Sequence, residues 1–195
     1  MNWNKLIRPF HYLSGEKALV LGLIGVLISS ALAFSIEAHF NGTFNIKFVS
    51  KTVPAYWSFI EPFINVAVIS LVFGLLGLAN KKPFRWIDLV GFNLAARIPI
   101  LLLTAGMLLA GIDRTSSQEL LKAAVNGNID SNFTGFMIYS FASLPVLIYT
   151  IYLVYHANST VLNLKKFKGV ALFIGGIVVT EITLYFIYTQ IYALL

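Results

Sequence analysis

Three charged side chains stand inside long apolar runs: Glu61, Arg97 and Glu181. At a helix centre in lipid a charged residue such as Asp, Lys or Arg costs about 2.5–3.5 kcal/mol, while a Leu or Ile returns about 0.5 kcal/mol. Charges retained at that cost face a bundle interior, where they pair, lock helices together, or pass a proton or ion. At 1.5 Å per residue Glu61 lies ~9 Å below the outer end of its run, and Arg97 and Glu181 lie roughly 12–20 Å below theirs. All three therefore fit one outer-to-middle layer, and an intramembrane Glu–Arg–Glu cluster is expected. Two carboxylates against one guanidinium leave one carboxylate short of a cation. Glu61 is expected to be the tighter partner of Arg97, and Glu181, flanked by Thr180 and Thr183, to be the proton-exchanging member.

Helical phasing gives each charge polar company. Ser58, Glu61 and Asn65 share one helix face, as do Asn93, Arg97 and Thr104, and as do Glu181, Tyr185 and Tyr188. Asn65 and Asn93 are thus expected to support the cluster. On a fourth run Ser140, Ser143 and Thr150 align without a charge. Pro62, Pro99 and Pro145 are expected helix breaks, because each removes a backbone N–H and frees a carbonyl about one turn earlier. Kinked helices with a charge at the kink resemble the ion and substrate sites of transporters, whereas a Glu–Arg pair can equally well lock helices.

The elements that position these residues follow from composition. The 195 residues are 58% apolar and 11% charged, with mean hydropathy +0.81, against a soluble average of about 45–50% and about 25%. Five runs reach the roughly twenty residues that a ~30 Å hydrocarbon core requires. They are Ala18 to Ile36, Ala55 to Ala79, Trp86 to Ala110, Phe133 to Tyr155 and Gly169 to Leu195. Continuous hydrophobicity favours helices over the alternating segments of about ten residues in a membrane barrel. The fold expected is all-α, a polytopic integral membrane protein: residues 1–17 form a short cytoplasmic or interfacial segment and residues 18–195 a five-helix bundle.

Basic residues orient it. Lys5, Arg8 and Lys17, then Lys81, Lys82 and Arg85, then Lys165, Lys166 and Lys168 lie on one side. Lys47, Lys51, Arg114 and Lys122 are diluted by acids on the other. The N-terminus is read as cytoplasmic and the C-terminus as outside. This bias explains most of the net charge of +6, so no nucleic-acid partner is expected. Ala31-Leu32-Ala33 offers a cleavage site, but its apolar run exceeds the 7–15 residues of a signal peptide. Trp3, Leu6, Ile7, Phe10 and Leu13 recur at helical spacing, as an interfacial helix on an anionic leaflet requires. Ser116-Ser117-Gln118-Glu119 has a capping-box pattern ahead of Leu120, Leu121, Ala124 and Val125, which predicts a short outer helix. Asn41-Gly42-Thr43 and Asn132-Phe133-Thr134 match the glycosylation pattern. Gly25, Ser29 and Ala33, with Gly175 and Gly176, are expected close-packing surfaces.

Enzyme chemistry finds no support. The sequence has no phosphate-binding glycine loop, no His-Glu-x-x-His site, no nucleophile elbow and no Cys. His11, His39 and His156 fall at span boundaries on both sides and are read as lone interfacial histidines. No metal site and no cofactor are expected.

The stretch Lys81 to Gly111 carries a resemblance. The basic turn Lys82-Pro83-Phe84-Arg85 leads into Val90-Gly91-Phe92 and then Pro99-Ile100-Leu101-Leu102-Leu103. With five spans and an inside N-terminus, this resembles the Yip family of Ypt-interacting membrane proteins, in its compact bacterial form. The resemblance implies an integral protein of the plasma (inner) membrane. The function expected is a non-enzymatic scaffold or interaction role, and the alternative is a proton- or ion-coupled transporter or channel using the same cluster. Partners are membrane lipids, with a homo-oligomer and a membrane or cytosolic protein partner left open.

Overall fold

The computed structural model describes residues 7–49, 53–117, 119 and 131–195. Trp3, Lys5, Leu6, Lys51, Gln118, Leu120, Leu121, Lys122, Ala124 and Val125 lie outside the described residues, as does the side chain of Asn132. Five helices are long and apolar enough to cross a membrane. These are α1 (Gly15–Ser35), α2 (Trp57–Ala79), a third span in two pieces, α3 (Trp86–Ala95) and α4 (Ile100–Leu109), then α5 (Ser131–Val161) and α6 (Lys166–Leu194). The chain is an all-helical multi-pass membrane protein, with no strand among the described residues beyond an isolated bridge.

Local chemistry sets the ends. Ser14 caps α1 by accepting from the Lys17 N–H at 3.4 Å. The capping box expected at Ser116 sits one turn earlier: the Asp113 N–H donates to Ser116 Oγ at 2.8 Å and the Ser116 N–H to Asp113 Oδ1 at 2.7 Å. Asp caps as well as Ser does, so the chain enters the turn as soon as a capping residue appears. α5 extends to Val161 rather than Tyr155, and Lys166 and Lys168 sit in the first turn of α6 rather than in a loop. Hydropathy ends where charge begins, whereas backbone hydrogen bonding does not.

The tightest seam joins α1 to α3. A Cβ added to Gly22 would lie 2.6 Å from the Ala95 nitrogen, and one added to Gly91 would strike the Gly15 carbonyl. Only glycine lets two backbones approach so closely. The expected stripe of Gly25, Ser29 and Ala33 is buried, and Gly25 faces Ile98. Gly176 packs on Phe73, while nothing lies against Gly175. Phe10, expected on the membrane surface, is buried in the bundle instead, stacked on Phe92 with ring centroids 4.8 Å apart.

Of the three prolines only Pro99 accompanies a break. Residues 96–99 form turns, with the Arg97 N–H on the Leu94 carbonyl and the Ile98 N–H on the Ala95 carbonyl. The expected breaks at Pro62 and Pro145 are absent, since α2 and α5 run through both. One proline deletes a single ladder bond, which a long apolar helix tolerates when its neighbours hold it in place.

Hydropathy leaves the connection between the first two spans as a loop on the outer side, and the structure folds its first part inward. α1 ends in a Schellman turn in which Glu37 takes a φ of 55°, the Ala38 N–H bonds the Ala33 carbonyl at 2.9 Å and the Glu37 N–H bonds the Phe34 carbonyl at 3.3 Å. That reversal sends Ala38, His39 and Phe40 inward, all buried. His39 and Lys47 then pair as an antiparallel bridge, and Gly42 and Thr43 at the tip are buried among the helices. The segment is an inserted hairpin rather than a surface loop.

Candidate functional site

Backbone inside a bundle needs partners for every N–H and C=O, because no bulk water reaches it. Around the hairpin tip those partners are the residues that sequence analysis singled out. Glu61, one turn into α2, is fully buried. Its Oε2 accepts the Phe40 N–H at 2.6 Å, and its Oε1 lies 2.9 Å from His39 Nδ1 and accepts the Tyr192 hydroxyl at 2.6 Å. With Glu61 ionised, the His39 proton must sit on Nδ1. One turn further along α2, Asn65 Nδ2 donates to the carbonyls of Phe40 at 2.8 Å and Gly42 at 2.9 Å, while its Oδ1 lies 2.8 Å from the Tyr188 hydroxyl. Arg97, placed in the break between α3 and α4, donates from a guanidinium nitrogen to the Thr43 carbonyl at 3.0 Å. Glu181, near the middle of α6, accepts the Thr43 N–H on Oε1 at 2.9 Å. Carboxylates take the N–H groups and cations and amides take the carbonyls, so each charge meets the end of the peptide dipole that suits it.

The expected direct Glu–Arg–Glu pairing is therefore replaced. Among the described residues no carboxylate lies within ion-pair distance of Arg97, and Glu61 is paired with His39 instead of Arg97. The physical reason is the hairpin, which fills the space between α2, α4 and α6 and offers backbone groups to all three charges. Glu181 and Arg97 meet instead at Thr43, Glu181 on its N–H and Arg97 on its carbonyl. The partner that Glu61 finds instead is His39, expected to be a lone interfacial residue. Its signal was present: Phe40, Phe44, Ile46 and Phe48 alternate with His39, Asn41, Thr43, Asn45 and Lys47, a period of two that solvent loops do not need.

Asn93 does not join the cluster. Its side chain exchanges hydrogen bonds with Asn158 of α5 at 3.2 and 2.9 Å, a buried amide pair one turn from Arg97. Asn93 was expected beside Arg97 because four residues separate them, but Asn158 offers it both a donor and an acceptor. Ser140, Ser143, Thr150 and Thr104 bond carbonyls of their own helices. Tyr185, expected to face inward, is 67% exposed.

Beside Glu181 lies a cavity of about 600 Å³, lined by Asn41, Asn45 and Lys47 from the hairpin and by Glu181, Tyr188 and Tyr192 among others from α6. Glu181 is half-buried at its wall. A second, largely apolar cavity of about 540 Å³ lies on the other side of the hairpin, against Leu103, Met107 and Phe136. Among the described residues no group of three or more His, Asp or Glu could hold a metal ion. No protein-family model matches the chain, and neither a curated protein nor a solved structure is significantly similar to it.

Proposed function

We propose that the chain is a non-enzymatic, Yip-like protein of the inner membrane, with its N-terminus in the cytoplasm, in which the charged cluster fixes an inserted outer hairpin and so shapes a surface for other molecules. The observation that carries this reading is the clamp itself: Glu61, Asn65, Arg97 and Glu181, from three spans, all bind backbone of residues 40–43. A clamp of that kind gives one fixed arrangement of helices, which suits a scaffold for lipid or protein partners, including a second copy of the chain. The basic residues between α2 and α3 and at the start of α6, set against a mixed-charge hairpin side, support the inside N-terminus.

A second reading, a proton- or ion-coupled transporter or channel, is favoured by one observation. Glu181 borders an open cavity, and behind it Arg97 sits at an interrupted helix, an arrangement that resembles transporter sites. Reconstitution in liposomes under an imposed potential separates the two. Proton flux equal to that of empty liposomes supports the scaffold. Flux that disappears in Glu181→Gln, with the variant's melting temperature unchanged, makes the cluster a conduction site.

A further inference from the structure

The cavity beside Glu181 is lined by two residues of opposite charge that do not pair with each other, the half-buried Glu181 and the exposed Lys47. Lys47 of the hairpin and Glu181 of α6 both line it, yet they are not within ion-pair distance of each other. Glu181 Oε1 is taken by the Thr43 N–H. Oε2 stands over Gly42, where an added Cβ would lie 2.9 Å away, and it has no protein donor among the described residues. Lys47, exposed at the cavity mouth, pairs with no carboxylate among the described residues. The wall between them carries the amides of Asn41 and Asn45 and the rings of Tyr188 and Tyr192. At about 600 Å³ the space falls within the roughly 300–1,000 Å³ usual for small-molecule sites.

A separated carboxylate and ammonium across an aromatic-walled space are complementary to a ligand carrying the same two charges in reverse. We propose that this cavity binds a small zwitterion, an ammonium joined to a phosphate or carboxylate. The ammonium sits at Glu181 Oε2 beside the tyrosine rings, where cation–π attraction adds to the charge pair. The anionic group sits at Lys47 and the asparagine amides. A zwitterionic phospholipid headgroup and a free zwitterion share this chemistry. The site does not depend on whether the protein conducts ions, since it needs only the cavity and its two charges.

The test uses the purified full chain and phosphoethanolamine as probe, with binding read by calorimetry and by the shift in melting temperature. Saturable binding is expected, with ethanolamine alone and inorganic phosphate alone each at least about tenfold weaker. Lys47→Met and Glu181→Gln should each weaken phosphoethanolamine about tenfold or more, the loss of one charge-assisted bond. Gln keeps an acceptor for the Thr43 N–H, and the melting temperature of each unliganded variant reports its folding. Phosphoethanolamine binding suppressed in phosphatidylethanolamine nanodiscs but retained in phosphatidylglycerol nanodiscs identifies the headgroup as occupant. Equal binding in both identifies the free zwitterion. Absence of saturable binding, or folded Lys47→Met and Glu181→Gln proteins that bind as wild type does, overturns the proposal.

Discussion

The two carboxylates that grip the hairpin are chemically alike and placed oppositely. Glu61 has no exposed surface and is surrounded by three donors, the Phe40 N–H, the Tyr192 hydroxyl and His39 Nδ1. Glu181 is half-buried, has one protein donor and borders a cavity. The difference teaches that a charge in a membrane span is not by itself a functional group. Its donor count decides: a saturated carboxylate is a fastener, and an unsaturated one beside a void can still take a ligand.

The sharpest way to break this contrast is Glu61→Ala. It strands His39 and the Phe40 N–H in a buried site and takes the acceptor from the Tyr192 hydroxyl at the cavity wall, and a loss of about 3–5 kcal/mol is expected in reversible unfolding in mixed micelles. A loss below that of Glu181→Ala would end the distinction. Next comes Asn65→Leu, which leaves the Phe40 and Gly42 carbonyls without their amide donor. A cost of about 2–3 kcal/mol is expected by the same measurement.

The buried Asn93–Asn158 pair is a control outside the hairpin. Asn93→Leu is expected to cost about 1–2 kcal/mol, and adding Asn158→Leu to cost less than a second such step, since neither amide is then left alone. Strict additivity would show that the two amides do not share bonds. Glu181→Gln is expected to shift stability by less than about 1 kcal/mol, because an acceptor for Thr43 remains.

The smallest effect belongs to Asp113, outside the spans. Its carboxyl is held below the ordinary carboxylate range, first by the Ser116 N–H. A lowered folded-state pKa contributes stability that is complete above the unfolded-state value and lost as pH falls through the folded one. Asp113→Asn should therefore remove a small acid sensitivity and leave the slope above neutral pH unchanged, as an acid titration followed by circular dichroism would record.

Several of these features were legible in the chain. Glu61, Asn65, Arg97 and Glu181 stood out because charge and amide are costly in lipid, and all four do gather at one place. Their partners were not legible. Helical spacing put Asn93 beside Arg97, but spacing says nothing about what faces a helix, and Asn158 of α5 took that amide. Pro62 and Pro145 carried the same local signal as Pro99, and only at Pro99 does the helix part.

Hydrophobicity alone determined five membrane-length helices, because the transfer cost of each residue is local and sums along the chain. Gly25, Ser29 and Ala33 were visible as small residues at four-residue spacing, but Gly22 and Gly91, which set the α1–α3 seam, were not, because spacing does not show which backbone a glycine meets. Whether residues 38–47 lie on the surface or inside was decided only by tertiary structure. The hairpin is stable inside because Glu61, Asn65, Arg97 and Glu181, the last of them 138 residues beyond Thr43, together satisfy backbone groups that no single span could satisfy.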